Sequence, residues 1–493
     1  MKKGFDNDKY LQLQSGKIAE RVSEFGGKLY LEFGGKLFDD HHASRVLPGF
    51  MPDSKIVMLS TMKEQVEIVI VINAVDIAQN KLRSDLGITY DEDVLRLYDL
   101  LTNRGLYVGS IVISQFSEDN NSAVKFQRKL ESHGIKVYRH YRIEGYPSNV
   151  SHIVSDEGFG KNEYVETTRN IVVVTAPGPG SGKMATCLSQ MYHDAQRGIK
   201  SGYAKYETFP IWNLPLNHPV NIAYEAATAD LNDINMIDPW HMQAYGLSAV
   251  NYNRDVEVFP VLNAIFTRVL GESPYKSPTD MGVNMVGYCI SDDDACTDAS
   301  KQEIIRRYLA AKVSVRKGQS SRFIVDKLQI IMSKLNLTEQ DRKVLVAARK
   351  YAENKESYAA AIELPDGTVV CGRNSSLLSC AAAALLNAVK SLANLPDVNL
   401  IAPSALEPIQ KLKTGSLGDI TAELRCDEAL IALTVSAAVN PMAGLALEQL
   451  GKLRGCQMHL TSIPSHADAK ILRKLGLQVT SDDVYSCKRV YFN

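Results

Sequence analysis

One short segment, Ile171–Lys183, constrains the fold of this chain more than any other. It opens with a run of β-branched residues, Ile171–Thr175, which predicts a buried strand. Glycines at 178, 180 and 182 follow, and Lys183 opens a segment with the pattern of a helix. Such a junction favours anions, because free backbone N–H groups and the helix dipole meet there. We therefore predict a phosphate-binding loop; the alternative is a tight turn that only joins the strand to the helix.

The loop departs from the Walker A pattern G-x-x-x-x-G-K-[ST] at two positions. Gly182 and Lys183 fit, but Pro177 replaces the first glycine and Met184 replaces the hydroxyl residue that binds Mg²⁺. Thr186 is the nearest hydroxyl residue beyond the lysine, and it can substitute only if the helix starts elsewhere. The predicted ligand-binding residues are Pro177, Gly178, Gly180, Ser181, Gly182, Lys183 and Met184.

Strand-like and helix-like segments alternate through the first half of the chain, which predicts a parallel sheet covered by helices. The candidate strands are 55–59, 68–73, 108–114, 136–141, 171–175 and 202–207, and the candidate helices are 92–102, 121–133, 183–198 and 220–231. Ahead of them, Gly34-Gly35 predicts a hairpin turn between 28–33 and 36–39. Because four candidate strands precede the glycine loop, we expect a Rossmann-like, mostly parallel sheet and not a standard nucleoside triphosphatase domain.

The later part of the chain predicts two further domains. A helical section covers 301–355, and a fresh α/β pattern covers 356–493, with a hairpin around Pro365-Asp-Gly367 and an Ala/Leu-rich helix over 377–393. The N-terminal α/β domain is then 1–300, and its region 210–291 is an elaboration rich in Asp and Asn. The small residues of helix 377–393 suit tight packing or a subunit interface, so a homo-oligomer is possible.

Three charged residues downstream of the loop are candidates for chemistry on a bound phosphate. Asp230 and Asp233 would share one face of a helix and hold Mg²⁺, replacing the missing hydroxyl. The alternative is a capped helix end. Arg254 would clamp a phosphate, or else pair with a neighbouring carboxylate for structure alone. With Lys183, Arg254 and Asp233 form the predicted catalytic set.

A second candidate site is the polar run Asp39, Asp40, His41 and His42. Carboxylates and imidazoles ligate metals or transfer protons, which would make the chain a metal-dependent hydrolase. At most two of the four can share a site in an extended segment, since adjacent side chains point in opposite directions. The alternative is a polar loop after a hairpin.

The composition narrows the classes of partner. The net charge is −1 with no long block of one sign, which argues against a nucleic-acid binder that relies on a basic surface. No run approaches the roughly 18 apolar residues of a membrane helix, and the first ten residues lack the apolar core of a secretory signal. The eight cysteines are scattered without a C-x-x-C pair, as is typical of reduced thiols, so we expect a cytoplasmic protein.

Several long motifs together resemble one bacterial family of unknown function. They are 175–188, Tyr203–Asn213, Ala226–Asp233 and Asn251–Asp255, and the resemblance spans nearly the whole chain. It implies a multidomain α/β protein with a separate C-terminal domain, and it assigns no reaction and no catalytic residue. Some members have been labelled ATP-dependent peptidases, but the sequence contains neither H-E-x-x-H nor G-x-S-x-G.

The last domain is similar to cytidine-deaminase-like folds in one respect: the segment 366–374 is followed by an Ala-rich helix. A zinc deaminase needs H-x-E and P-C-x-x-C, whereas Ser379-Cys380 stands in the place of H-x-E and C-x-x-C is absent, so no zinc site is evident.

The sequence as a whole predicts a protein that binds a nucleotide or another phosphorylated small molecule, with Mg²⁺ and ATP or GTP as the expected cofactors. Phosphoryl transfer or ligation is the expected reaction; the alternatives are a non-catalytic nucleotide or metabolite sensor and the metal-dependent hydrolase above.

Overall fold

The computed structural model of the chain describes residues 2–35, 37–38, 40–83 and 86–486. They divide into two compact units. The N-terminal unit comprises Lys2–Glu225 and Asn232–Ser300, and the C-terminal unit comprises Ala226–Leu231 and Lys301–Asn493. The helices of 301–355 thus belong to the same unit as the C-terminal sheet.

The strands are numbered in chain order: β1 Leu29–Phe33, β2 Val66–Asn73, β3 Leu82–Arg83, β4 Ile88–Thr89, β5 Tyr107–Phe116, β6 Val137–Tyr141, β7 Ile171–Thr175, β8 Gly202–Tyr206, β9 Asn235–Ile237, β10 Val250–Tyr252, β11 Gly282–Val283, β12 Ala359–Glu363, β13 Val369–Arg373, β14 Gln457–Leu460 and β15 Gln478–Ser481.

The α-helices follow the same convention: α1 Asn7–Glu24, α2 His41–Val46, α3 Ser54–Thr61, α4 Ala74–Ala78, α5 Tyr90–Asn103, α6 Asn121–Ser132, α7 Val150–Ile153, α8 Lys183–Gln196, α9 Pro219–Ala227, α10 Pro239–Tyr245, α11 Asn253–Leu270, α12 Pro278–Met281, α13 Asp293–Arg316, α14 Arg322–Lys334, α15 Lys343–Lys355, α16 Cys380–Leu392, α17 Pro403–Lys411, α18 Cys426–Ser436, α19 Pro441–Leu447 and α20 His466–Lys474.

Seven strands of the N-terminal unit form one sheet in the order β11-β8-β1-β7-β2-β5-β6. All neighbouring strands in it are parallel. Strands β1, β2, β7 and β8 are buried along their whole length, as parallel strands covered on both faces must be. The predicted Rossmann-like, mostly parallel sheet is confirmed.

Helices α8 and α11 cover one face of this sheet. Val174 and Tyr203 pack there in one core cluster with Leu188 of α8 and Phe266 of α11. Helix α1 covers the opposite face, where the hydroxyls of Tyr10 and Tyr206 lie 2.5 Å apart. Because side chains alternate along a strand, Tyr203 and Lys205 point to the face of α8 and α11.

The strand order creates a switch point between β7 and β2. From β2 the chain continues to β5 and β6, towards one edge of the sheet, whereas from β7 it continues to β8, towards the other edge. Connections that diverge from two neighbouring parallel strands leave a crevice at the carboxyl ends of those strands, where α/β proteins bind ligands. The glycine loop, residues 176–182, begins at this crevice.

Three predicted elements differ in the structure. The candidate strand 55–59 is part of helix α3, since a short apolar run fits a strand or a buried helix equally well. The hairpin at Gly34-Gly35 is wrong: β1 lies between β7 and β8 as a parallel strand, because burial on both faces outweighs a local turn signal. The helix predicted for 220–231 ends at Ala227, and turns follow.

The C-terminal unit contains a mixed sheet in the order β13-β12-β14-β15, with β14 and β15 parallel and the other pairs antiparallel. The predicted hairpin and the Ala-rich helix α16 are present, and α16 and α18 contribute to one core cluster. Ser379 caps α16 by accepting a hydrogen bond from the amide of Ala382, and Cys380 is buried. The deaminase-like topology stays a prediction.

Two further features concern the helices and the cysteines of the described residues. None of their helices combines the length and the apolar character needed to cross a bilayer. All seven cysteines among them are free thiols.

Candidate functional site

The glycine loop holds its shape through contacts that only glycine permits. A Cβ at position 178 would lie 2.2 Å from the hydroxyl of Tyr90, and one at 182 would lie 2.9 Å from Oγ of Ser114. Gly182 also has φ +91° and serves as the N-cap residue of α8. The glycine pattern is therefore required by close packing and by the turn into the helix.

The carbonyl groups of the loop point into the protein. The side chain of Ser114, from β5, donates to the carbonyl of Ser181 at 2.7 Å, and that of Asn73, at the end of β2, donates to the carbonyl of Gly180 at 3.3 Å. Within the loop, Ser181 Oγ donates to the carbonyl of Gly178 at 2.6 Å. Two of these three loop carbonyls are thus satisfied by side chains from the neighbouring strands and the third by the loop itself.

The amide groups of the same segment are left available. Among the described residues, none offers a hydrogen-bond acceptor to the backbone N–H groups of residues 180–185. The first turn of α8 also lacks a side-chain cap, so its unpaired amides carry the positive end of the helix dipole. Satisfied carbonyls and free amides are the arrangement that an oxyanion needs.

Lys183 adds a charge to this helix end. Its side chain is partly exposed, and no ion pair with another described residue engages it. Burial raises the pKa of the Cys187 thiol, one turn along the helix, well above its usual value. The positive charge of Lys183 acts in the opposite direction and lowers that pKa. Met184 is partly buried and packs against the core. Thr186 lies inside α8, and its hydroxyl is 3.5 Å from Nδ1 of His140, so it does not face the loop.

The predicted magnesium ligands have different surroundings from those expected. Asp230 and Asp233 do not share a helical face, because α9 ends before them. Asp233 is buried against Arg254, whose Nη2 donates to Oδ2 at 2.9 Å and whose Nε lies 2.6 Å from Oδ1. The structural alternative for Arg254, pairing with a carboxylate, is the one observed.

The polar run at the end of β1 has a structural role where it is described. Asp40 caps α2 by accepting from the amide of Ala43, and it forms a 2.9 Å ion pair with Lys55. Burial acts to raise the pKa of Asp40, but Lys55 holds it below its usual value. His41 begins α2 and His42 stacks edge-on against Phe209. Asp39 lies outside the described residues.

Across the described parts of the chain, no three or more His, Cys, Asp and Glu side chains form a group suited to a metal ion. The Mg²⁺ site at Asp230 and Asp233 and the hydrolase site at Asp39–His42 stay predictions.

The structure reveals a second cluster that the sequence did not indicate. We call Lys205, Glu207, Tyr252 and Asp255 the Lys205 cluster. The ammonium of Lys205 contacts the carboxylate of Asp255 and the hydroxyl of Tyr252, and lies 3.0 Å from Oε1 of Glu207. The cluster residues lie in the motifs 203–213 and 251–255, which support the family resemblance. The contacts of Lys205 with Tyr252 and Asp255, however, join positions about fifty residues apart and leave no local signal.

Family models and known proteins match this chain along nearly its whole length. The models described as Domain of unknown function DUF1846, N-terminal and C-terminal, match residues 3–336 and 340–491. A UPF0371 protein of Corynebacterium urealyticum is 56% identical over 489 residues, which cover 99% of this chain and 98% of that protein. A UPF0371 protein of Streptococcus pneumoniae (strain JJA) is 54% identical over 491 residues, with 99% of both chains covered. The predicted membership of a family of unknown function is confirmed.

Proposed function

Since the chain belongs to the DUF1846 family, described as a domain of unknown function, we propose a function from the geometry of its site. The N-terminal unit binds a phosphorylated small molecule on residues 177–184, at the carboxyl ends of β7 and β2. The observation that carries this proposal is the run of available amides over residues 180–185, next to a lysine with no ion pair among the described residues. Amides that already donated to protein carbonyls would have left no place for an oxyanion.

Each part of the segment has a role in this proposal. The amides of Gly180, Ser181 and Gly182 donate to phosphate oxygens, and the first turn of α8 adds its dipole. Lys183 supplies a point charge, and its flexible side chain lets the ammonium follow the ligand. Ser114 and Asn73 keep the carbonyls away from the anion, since an exposed carbonyl oxygen would repel it.

The narrower form of the proposal is a nucleotide, ATP or GTP with Mg²⁺, used in phosphoryl transfer or ligation. The pair Gly182-Lys183 favours a nucleotide, because it matches the G-K pair of the Walker A pattern. The ion would be held by the nucleotide's own phosphates, because Thr186 faces His140 and Asp233 is paired with Arg254. Melting shifts with ATP or GTP without turnover would instead support a sensor.

The proposal is tested by calorimetric titration of inorganic pyrophosphate, ATP and GTP into the full chain. We expect binding by wild type, and a weakening of roughly 10- to 100-fold in Lys183→Met, since a charge-assisted contact contributes about 1.5–3 kcal/mol. Lys125→Met, at an exposed position on α6, is the matched control and should bind as wild type does. Equal affinities for wild type and Lys183→Met, or no binding of any phosphorylated compound, would contradict the proposal.

A further inference from the structure

Glu32, near the carboxyl end of β1, is a buried carboxylate with one oxygen left free. The residue is 7% exposed. The hydroxyl of Tyr203 donates to its Oε2 at 2.7 Å, whereas none of the described residues pairs with Oε1, which keeps contact with solvent. Lys205, its neighbour in register on β8, directs its ammonium to Asp255 and Glu207 instead. Because a nearly buried acceptor without a donor is unfavourable, Oε1 is suited to a donor from outside the protein.

Strand β1 lies beside the strand that carries the glycine loop. The order β8-β1-β7-β2-β5-β6 matches the order 3-2-1-4-5-6 of the dinucleotide-binding fold, with β7 in the first position and β1 in the second. In that fold the glycine turn follows the first strand, and an acidic residue at the end of the second strand binds a ribose hydroxyl. Glu32 occupies the second position in space. The order of the chain conceals it, because β1 comes long before the loop.

Glu32 and the start of α8 lie on the same face of the sheet. Tyr30 of β1 packs in the core cluster below α8, and Glu32, two residues further along the strand, points to the same face. Helix α8 packs over β7, β1 and β8. Burial and then the charge of Glu32 raise the pKa of the Cys187 thiol, whereas Lys183 lowers it. Both charges therefore lie near the first two turns of α8.

The distance from Glu32 to the glycine loop sets the length of the ligand. The loop leans towards β2 and β5, where Asn73 and Ser114 hold two of its carbonyls. These strands lie two and three positions from β1, about 10 and 14 Å at the usual strand spacing. In a nucleoside diphosphate seven bonds separate the 3′ oxygen from the terminal phosphorus, roughly 8 Å when extended. A hydrogen bond of about 2.8 Å at each end brings the reach to roughly 14 Å, so a nucleoside di- or triphosphate spans both groups.

Tyr146 supplies a donor near the free oxygen of Glu32. It lies in the segment between β6 and α7, where Ile143 and Val150 pack against the same core cluster as Met184 of α8. None of the described residues forms a hydrogen bond with its hydroxyl. Burial, together with the charge of Glu32, raises the pKa of Tyr146 to about 12, so the phenol keeps its proton. A free acceptor and a free donor match a ribose cis-diol, in which one hydroxyl donates and the other accepts.

We propose that this chain binds a ribonucleoside di- or triphosphate, with the phosphates on the glycine loop and the ribose cis-diol between Oε1 of Glu32 and the hydroxyl of Tyr146. The inference rests on the proposed function and deepens it, because it names the residues that recognise the sugar. Glu32 also orients the ligand, since a carboxylate accepts from hydroxyl groups and repels phosphates. Nucleotides without the diol occupy the phosphate subsite alone and bind more weakly.

The test compares nucleotides that differ only in the ribose hydroxyls. ATP and 2′,3′-dideoxy-ATP, and GTP and 2′,3′-dideoxy-GTP, are titrated by calorimetry into the full chain with excess Mg²⁺. We expect wild type to bind the ribonucleotide of at least one pair about tenfold or more tightly than its analogue, because the analogue leaves the free oxygen of Glu32 without a donor. Lys183→Met should weaken both members of that pair by a similar factor.

Three variants locate the diol. Glu32→Gln should reduce the preference to within about threefold, since a neutral amide oxygen is a weaker acceptor. It should keep the wild-type affinity for the dideoxy analogue, which also shows that the variant is folded. Tyr146→Phe should weaken only the ribonucleotide, by roughly three- to tenfold. Glu67→Gln is the matched control and should keep the preference, because Glu67 is a buried carboxylate at the amino end of β2, where it accepts from the amide of Thr168.

The outcomes separate the two proposals. Equal affinity of wild type within both pairs, or a preference that survives in Glu32→Gln, overturns the ribose subsite and leaves the phosphate site standing. If Glu32→Gln does not fold, Tyr146→Phe decides: a reduced preference supports the subsite and an unchanged one overturns it. Binding of inorganic pyrophosphate without binding of any nucleotide overturns the ribose subsite alone. Failure of pyrophosphate and of every nucleotide to bind overturns the phosphate site, and the ribose subsite with it.

Discussion

At the scale of single residues, the site depends on which side chains already have partners. Arg254 and Asp40 carry the charges that phosphate or metal chemistry needs, but both are held in ion pairs, with Asp233 and Lys55. Lys183 has none among the described residues, and Glu207 keeps one carboxylate oxygen unpaired. The sequence pattern singled out Lys183 as a candidate because the glycine loop beside it in space also precedes it directly in the chain. It missed Glu207 because, apart from Lys205, the residues that surround it come from other strands and helices.

Glu207 should leave a signature in the pH dependence of stability. Its pKa, about 7 in the folded chain, lies above the ordinary value of 4.5, so the folded state binds the extra proton between these values. Stability is therefore fully present below pH 4.5 and falls as the pH rises to 7, by roughly 3 kcal/mol at most. Glu207→Gln should lack this fall, as denaturant unfolding at several pH values will show. A stability difference between the two proteins that stays constant from pH 4.5 to 8 would contradict the assignment.

At the scale of elements, the long β-branched runs and the amphipathic helices were predictable. Strands β2, β5 and β7 and helices α6 and α8 lie within a few residues of their predicted bounds. Helix α3 was mistaken for a strand because its apolar run is too short to show a period. The pairing of β1 with β7 and β8 was not predictable, since its partners lie far along the chain and no local signal specifies them.

The N-terminus of α8 gives a prediction that separates stability from binding. Ala185, in its first turn, is partly exposed, so Ala185→Glu would place a carboxylate among the available amides. The helix dipole should make this variant more stable by about 0.3–1 kcal/mol, while the added charge repels phosphate. Ala185→Gln, with the same shape and no charge, is the control. Unfolding midpoints and pyrophosphate titrations measure both effects; unchanged binding in Ala185→Glu would place the phosphate elsewhere.

At the scale of the whole molecule, each of the two units has a distinctive internal feature. The N-terminal unit is built on a sheet whose carboxyl edge carries the candidate site. In the C-terminal unit Arg342 is fully buried, and no carboxylate of the described residues pairs with it. Thr480, Gln457 and the carbonyl of Gln478 accept its hydrogen bonds at 2.8–3.0 Å. Burial lowers the pKa of Arg342 to about 9. No sequence pattern distinguishes this arginine from an exposed one.

Arg342→Met should destabilise the C-terminal unit by about 1–3 kcal/mol, because it leaves several buried acceptors without a donor. Unfolding in denaturant, followed by circular dichroism, measures the change. Arg316→Met, at an exposed position at the end of α13, is the control and should change stability by less than half as much. A smaller loss in Arg342→Met than in the control would contradict the role given to this guanidinium.

The C-terminal unit also exposes apolar side chains on and around α18 and α19, including Leu417, Ile431, Val435 and Val439. Exposed apolar groups of this kind are typical of subunit interfaces, so the predicted homo-oligomer stays open to test. Light scattering of the purified chain should give a mass above that of one chain, and Ile431→Lys should lower it. A monomer at micromolar concentration would contradict this expectation.

The proposed function requires the amides after β7 to hold a phosphate group. A crystal structure of the full chain with inorganic pyrophosphate is the decisive test. We expect phosphate oxygens at about 2.7–3.2 Å from the backbone nitrogens of at least three residues between Gly180 and Ala185, with the ammonium of Lys183 on the same group. Pyrophosphate bound elsewhere, or those nitrogens donating to protein oxygens in the crystal, would contradict it.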